Sequence, residues 1–268
     1  MKITTLASGS KGNCTLVETD KTCLLIDCGI ALQEVEDKLK LLGVNPSRIE
    51  GIIVTHEHSD HIKSVGAFSR KYNCKIYANY NEWSILLKKL GNVEQNNVRS
   101  FITDDFIIND VGIKSFQLSH DSQTCFGYSF YNDGNKFSIA TDLGFAPKNV
   151  VENLKDSSLI ILEANHDEKM LLNNPKYPLI LKKRILSNKG HLSNNASADV
   201  ISSLVGGNLQ QVVLAHLSEE NNSPSLAYGS IKNNLLKKGI EEGKHVFIDV
   251  ASQYETGHTF ELKSNKNK

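Results

Sequence analysis

The sequence predicts a single α/β domain over residues 1–262, and two observations carry that prediction. Strand-like and helix-like runs alternate from one end of the chain to the other, which is typical of sheets whose outer faces are covered by helices. The chain has 268 residues, 40% of them apolar, which is enough for a large core, and no linker or low-complexity segment interrupts it. The tail 263–268 (KSNKNK) is expected to be disordered.

Strands are predicted wherever short apolar runs are rich in β-branched and aromatic residues. In chain order they are Lys2–Leu6, Thr15–Glu18, Cys23–Ile26, Gly51–Thr55, Lys75–Ala78, Val111–Leu118, Phe126–Tyr131, Lys136–Ala140, Leu159–Leu162, Gln211–Ala215, 245–250 and 257–262. The Asp133-Gly134 pair between the seventh and eighth strands is typical of a tight hairpin turn.

Helices are predicted where apolar residues recur every three to four positions. The first helix starts at Leu32 and is closed by Gly43 and Pro46, residues that commonly follow a helix end. Three more are predicted over 167–187, 194–205 and Ser223–Lys238.

Composition excludes several classes of protein. Lys+Arg and Asp+Glu number 30 each, so the chain has no overall basic field and could hold nucleic acid only through local patches. It has no apolar run of 18 residues and no long apolar segment near its N-terminus, so neither a membrane span nor a signal peptide is expected. Five cysteines without a CxxC pair are typical of reduced thiols in a cytoplasmic protein.

A dense cluster of metal-ligand residue types follows the fourth strand, where residues 52–61 read IIVTHEHSDH. In an extended segment residues i and i+2 point to the same side. His56 and His58 can therefore share one ion. Asp60 and His61 come after the turn and can hold a second ion nearby.

Three further ligand-type residues follow apolar strands later in the chain: His120, Asp142 and His216. Open α/β sheets place their chemistry at such strand ends. Any one of them alone would be weak evidence, but together with the first cluster they indicate a complete two-metal site.

The HxHxDH motif and these later residues resemble the metallo-β-lactamase superfamily of hydrolases, whose fold is an αββα sandwich of two sheets flanked by helices. The resemblance implies that His56, His58 and His120 hold one divalent transition metal and Asp60, His61 and His216 the other. It also implies that Asp142 bridges the two metals, and that Asp27, in LLIDCG, orients ligands. A purely nitrogen and oxygen ligand set favours Zn or Mn and tolerates Fe.

Two segments look like the tRNA 3′-processing endonuclease branch (the RNase Z relatives). Glu163 stands before Ala164 after a strand, and His191 lies in a Gly-His-Leu-Ser segment that opens a helix. The resemblance implies that Glu163 orients His191, which protonates the leaving oxygen as a general acid. His191, Glu163 and Asp60 are the predicted catalytic residues.

The chain is more narrowly similar to the YycJ/WalJ family, over residues 1 to about 262. The segments that carry the similarity are SGSKGN at 8–13, LEANHD at 162–167, GHLSN at 190–194 and AHLS at 215–218. It implies a DNA exonuclease that works from 5′ ends. In that reaction a hydroxide shared by two metals would attack phosphorus.

Substrate contacts are expected in three places. Glycines in the SGSKGN loop allow backbone N–H groups to approach an anion, which suggests Ser10, Lys11 and Asn13, although a tight turn without a ligand fits the same residues. His166 is a further candidate for the pocket lining. The basic residues Lys182, Lys183 and Arg184 precede His191 by seven to nine positions and either hold phosphates or form a solvated helix face.

Three other readings remain open. The first is a thioester or lactone hydrolase resembling glyoxalase II, which would need a C-terminal helical extension where this chain predicts strands. The second is an RNA-processing nuclease. Only 20 residues separate Asp142 from Glu163, which leaves no room for the inserted domain of the β-CASP nucleases. The third is a non-catalytic binding module, for which an incomplete ligand set would be expected.

Overall fold

The computed structural model describes residues 1–263, whose strands form two mixed sheets. One sheet contains β1 (Lys2–Ala7), β2 (Cys14–Glu18), β3 (Cys23–Ile26), β4 (Gly51–Ile53), β5 (Lys75–Asn79), β6 (Val98–Phe101) and β14 (Thr259–Glu261). The other contains β7 (Asp105–Ile108), β8 (Val111–Gln117), β9 (Phe126–Asn132), β10 (Asn135–Ala140), β11 (Leu159–Glu163), β12 (Gln211–Ala215) and β13 (Phe247–Val250). Their strand orders are β14-β1-β2-β3-β4-β5-β6 and β13-β12-β11-β10-β9-β8-β7.

The helices of the described residues divide between the two sheets. They are α1 (Leu32–Leu41), α2 (Ser59–Ile62), α3 (Val65–Tyr72), α4 (Trp83–Lys89), α5 (Lys148–Leu154), α6 (Glu168–Asn173), α7 (Leu179–Ile185), α8 (Asn194–Leu204) and α9 (Pro224–Lys237). Apolar residues of α1, α3 and α4 pack on the first sheet, and those of α5, α8 and α9 pack on the second.

The two sheets face each other across a shared apolar layer. Ile26 and Ile53 of the first sheet lie in the same buried cluster as Tyr128 and Phe137 of the second. This layer is close-packed and excludes water, which is the main source of stability in such a sandwich. The predicted αββα arrangement is therefore confirmed.

Parallel strands bring the ligand-bearing segments together. β3 to β6 are parallel in the first sheet, as are β10 to β13 in the second. The carboxyl ends of parallel neighbours lie at one edge of a sheet, where α/β proteins usually place their sites.

Some local predictions are confirmed and others are wrong. Asp133 (φ 48°) and Gly134 (φ 76°) adopt the left-handed conformation of a two-residue hairpin turn. The single helix predicted over 167–187 is instead two helices, α6 and α7. Pro175 and Pro178 lie between them, and a proline lacks the N–H of a helix interior and restricts the residue before it.

Six of the strands and α-helices were not predicted: β6, β7, α2, α3, α4 and α5. All five cysteines are buried with free thiols. No helix within residues 1–263 is both long and apolar enough to cross a membrane. Disorder is predicted for the tail 263–268, and residues 264–268 lie outside the described part of the chain.

Candidate metal centre

Seven side chains that can bind metal gather where strands of both sheets end. The turn after β4, helix α2 and the segments after β8, β10 and β12 supply them: His56, His58, Asp60, His61, His120, Asp142 and His216. All except His58 and Asp60 are buried. Charged and imidazole groups are rarely buried in such numbers unless they are paired or bind an ion.

The ligand-type atoms form two groups of three. In each group these atoms lie within 4.8 Å of one another: His56, His58 and His120 in one, Asp60, His61 and His216 in the other. Two further groups overlap with these: Asp142 with His56 and His61, and Asp142 with Glu163, His191 and His216.

Asp142 lies between the two groups. Its Oδ1 is 3.5 Å from His120 Nε2 and 3.7 Å from His216 Nε2, and its Oδ2 is 3.0 Å from His61 Nε2. One carboxylate therefore faces imidazoles of both groups.

Two imidazole nitrogens support an ion at this position. His56 Nε2 and His216 Nε2 are buried and make no hydrogen bond within residues 1–263. A buried polar atom without a partner costs about 1–3 kcal/mol. Divalent cations in the two groups, one beside each of these nitrogens, would remove that cost, so the residues present fit metals.

Asp27 orients His61 directly and His56 through Thr55. Its Oδ2 lies 2.7 Å from His61 Nδ1 and accepts a hydrogen bond from Thr55 Oγ1 at 2.8 Å, while its Oδ1 accepts one from Thr55 N at 2.9 Å. Thr55 Oγ1 is also 3.0 Å from His56 Nδ1. These contacts engage Nδ1 of both imidazoles, so Nε2 of each ring points toward the other ligand residues. This is how a residue such as Asp27 would orient metal ligands.

The backbone at the site adopts unfavourable conformations. Asp27, Asp142 and His216 have φ of 58°, 63° and 55°, in the left-handed region. Such a conformation costs a non-glycine residue about 1–3 kcal/mol. Surrounding contacts must hold it: Asn165 Nδ2 donates to His216 O at 2.8 Å, and His216 N donates to Ser8 Oγ at 2.9 Å.

Glu163, at the end of β11, joins His191 to the cluster. Its Oε1 lies 2.8 Å from both His191 Nδ1 and His216 Nδ1, and its Oε2 accepts from Leu143 N at 3.1 Å and Leu192 N at 3.0 Å. Because Nδ1 of His191 is engaged, Nε2 is the nitrogen left for a reacting group. The His191 side chain is 21% exposed, so it can reach a bound molecule.

Glu163 and His191 shift each other's pKa in opposite directions. Burial favours the neutral form of Glu163, but the adjacent His191 and His216 outweigh it and lower the pKa of Glu163 to about 2. Burial also favours neutral His191, but the Glu163 carboxylate outweighs it and raises the pKa of His191. The Glu163 carboxylate thus favours the protonated form of His191, which is the form that a general acid requires.

The buried end of the SGSKGN loop contacts two of the proposed metal ligands. Asn13 is buried, and its Nδ2 lies 3.4 Å from Asp60 Oδ2 and 3.1 Å from His61 Nε2. Gly29, in the segment after β3, packs against the same region, where a Cβ would lie 1.6 Å from Asp60 O and 2.9 Å from Asn13 N. Only glycine allows this approach.

Other predicted substrate residues have varied surroundings. Ser10 is exposed at the loop tip, and the Lys11 ammonium pairs with Glu219 at 2.7 Å. His166 is only 1% exposed, and neither of its ring nitrogens has a hydrogen-bond partner in the described residues. A contact between His166 and substrate stays a prediction, and the burial of this side chain does not support it.

The three basic residues lie on α7, which buries none of its residues within the described structure. Arg184 forms an ion pair with Asp121, the neighbour of His120. Lys182 donates to Leu172 O at 2.7 Å, and Lys183 is exposed. Because Ile185 O accepts from His191 N at 3.0 Å, this basic helix borders the general-acid candidate.

Sequence reasoning missed Thr55, Asp121 and Ser8. Thr55 directly precedes the HxHxDH motif and Asp121 directly follows His120, so proximity to a ligand was the available signal. Ser8 reaches His216 across 208 positions, and no local pattern could indicate that contact.

Comparisons with known proteins agree with this geometry. A family model described as the metallo-beta-lactamase superfamily matches residues 7–178. The exodeoxyribonuclease YycJ of Bacillus anthracis is 36% identical over 240 residues, which cover 89% of this chain and 90% of that protein. The exodeoxyribonuclease WalJ of Streptococcus pneumoniae is 35% identical over 245 residues, which cover 90% of this chain and 91% of that protein.

A solved structure shares the fold at low sequence identity. The metallo-beta-lactamase fold protein YhfI from Bacillus subtilis superposes with a TM-score of 0.73 at 15% identity, covering 97% of this chain and 98% of that one. A likeness at this identity establishes the fold alone.

Proposed function

Since the chain belongs to the YycJ/WalJ family of the metallo-beta-lactamase superfamily, we propose that it is a two-metal phosphodiesterase that degrades DNA from 5′ ends. One observation carries the proposal. Two ligand groups that share Asp142 lie next to an imidazole, His191, which is held by a buried carboxylate. A metal site alone is compatible with many kinds of hydrolase. A phosphodiesterase that releases a poor leaving oxygen also needs a proton donor.

The proposed metal ligands are the two groups described above. His56, His58 and His120 would hold one divalent ion, Asp60, His61 and His216 the second, and Asp142 both. The set contains nitrogen and oxygen donors without a thiolate, which suits Zn or Mn and tolerates Fe. Bound metals would supply Lewis acidity and a nucleophile at neutral pH.

The remaining chemistry belongs to the chain. Glu163 orients His191 through Nδ1, so that Nε2 can donate a proton to the departing sugar oxygen. Asp27 fixes the ring of His61. Asp60, at the start of α2, contributes the carboxylate closest to the loop of Asn13.

End-labelled nucleic acids test the proposal. Single- and double-stranded DNA and RNA, digested in Mn²⁺ and in Zn²⁺, should show that DNA is the better substrate. A 5′ label should appear first as a mononucleotide, a 3′ label should pass through a ladder of shorter strands, and circular single-stranded DNA should survive. The His58→Ala protein, purified identically, controls for contaminating nucleases. Cleavage of the circle, the opposite order of release or preference for RNA would contradict the proposal.

The basic residues of α7 are proposed to hold phosphates on the His191 side of the centre. Replacing Lys182, Lys183 and Arg184 by Ala should weaken binding of duplex DNA. It should also flatten the salt dependence of binding by roughly one to three units of slope, because each phosphate contact adds about −0.9. Hydrolysis of a small phosphodiester, which cannot reach this helix, should be nearly unchanged.

A matched variant separates this effect from a general loss of charge. Lys2, Lys21 and Lys75 are exposed at the start of β1, in the β2–β3 turn and at the start of β5, the edge of the first sheet opposite the centre. Their triple alanine variant loses the same charge and should bind DNA like the wild type. If the α7 variant also binds and cuts like the wild type across salt concentrations, the helix is ordinary surface.

A further inference from the structure

We propose that Tyr254 is a stacking platform for the nucleobase at the 5′ end of a bound DNA strand, an inference that rests on the proposed function. Its side chain is among the most exposed aromatics in the described residues, at 61%. It lines a cavity of about 490 Å³ together with Lys11, Ile30, Lys38 and Lys63. That volume is within the range of small-molecule sites.

The ring is held in place although it is exposed. Its hydroxyl accepts a hydrogen bond from Lys11 Nζ at 2.9 Å and donates one to Glu219. Its carbonyl oxygen accepts from Lys38 Nζ at 2.5 Å, and its backbone N–H donates to Ser252 Oγ at 3.2 Å. A surface ring fixed at both ends loses little further entropy when a flat ligand stacks on it, which favours binding.

The SGSKGN loop links this cavity to the metal centre, because it contacts residues of both. The Gln253 side chain makes two hydrogen bonds to the backbone of the SGSKGN loop. Its Oε1 accepts from Lys11 N at 2.9 Å, and its Nε2 donates to Gly12 O at 3.1 Å. Asn13 of the same loop contacts Asp60. Lys63, in the cavity wall, follows the ligand His61 by two positions. Since one short loop contacts both sites, we place the base of a nucleotide whose phosphate lies at the metals on the Tyr254 side of the centre.

Charge in the wall favours the end of a strand over its middle. Lys38 and Lys63 can meet one phosphate group. Glu34 and Asp37 of α1 line the same cavity and would repel a backbone that continued past it. The polyanion would instead leave across the centre toward the basic residues of α7, so that the cavity holds the terminal nucleoside. Stacking on an aromatic ring accepts any base, as degradation of arbitrary DNA requires.

Binding of oligonucleotides with phosphorothioate linkages, which resist hydrolysis, tests the inference. Tyr254→Leu should weaken binding of single-stranded DNA with an intact 5′ base by about 5- to 150-fold, the range measured for aromatic stacking. It should have little effect when the 5′ nucleotide is abasic. Tyr254→Phe, which keeps the ring, should lose less than Tyr254→Leu. Tyr131→Leu is the matched control, because Tyr131 is 40% exposed and has Lys136 Nζ 5.6 Å from its ring centroid, as Lys11 Nζ is from Tyr254.

The outcomes separate this site from the proposed function. Equal binding by wild type and Tyr254→Leu, equal losses on intact and abasic ends, or an effect confined to the 3′ end would overturn the stacking site even if the protein degrades DNA. Base-dependent binding at Tyr254 in a protein that hydrolyses no nucleic acid would support the stacking site and overturn the nuclease.

Discussion

Replacing His191 by Ala is expected to lower kcat on DNA by roughly 10²–10⁴-fold while metal content stays at the wild-type level. His191 contacts Glu163 through Nδ1 and is proposed to donate a proton, not to bind metal. The ligand groups would stay complete without it. Metal analysis and kcat measured on the same preparation check the expectation.

The leaving group distinguishes proton donation from a general disturbance. A sugar oxygen leaves slowly unless it is protonated, whereas nitrophenolate needs little help. The loss caused by His191→Ala should therefore be much smaller on bis(p-nitrophenyl) phosphate than on DNA. His258→Ala removes an exposed histidine near the C-terminus and should match the wild type on both substrates. An equal loss on both substrates in His191→Ala would contradict the general-acid role.

The second large effect is expected from His58→Ala, which should lose bound metal and hydrolysis together on DNA and on the nitrophenyl diester alike. His58 belongs to the first ligand group and is the most exposed imidazole of that group. Its removal deletes a ligand without creating a large cavity in the core. Metal content per chain and rates on both substrates are the measurements.

Folding must be checked in the same experiment. The far-ultraviolet circular dichroism spectrum and the thermal midpoint of metal-free His58→Ala should match those of the metal-free wild type. A variant that keeps its metal and its activity would show that His58 is not a ligand.

The ligand set could be predicted from the sequence because its chemistry is local. His56, His58, Asp60 and His61 lie within six consecutive positions, and His120 and His216 each follow an apolar strand that the residue pattern indicates. The structure brings these side chains together where strands of both sheets end.

The supporting contacts could not be predicted, since they depend on tertiary structure. Ser8 reaches the backbone of His216 only because the end of β1 lies beside the end of β12. Tyr254 reaches Lys11 across 243 positions. Exposed and less exposed positions alternate along strand β7, but the exposed position 107 is an isoleucine, so residue polarity gave no signal for an edge strand. The separation of α6 from α7 could have been predicted. Pro175 and Pro178 interrupt the helical pattern, and a proline is poorly tolerated in a helix interior.

The central claim is that hydrolysis depends on two metal ions held by this cluster. Protein freed of metal with a chelator and titrated with Mn²⁺ should regain hydrolysis of single-stranded DNA and saturate near two equivalents per chain. Metal content below about half an equivalent after reloading, or full activity in the metal-free protein, would contradict the two-metal account.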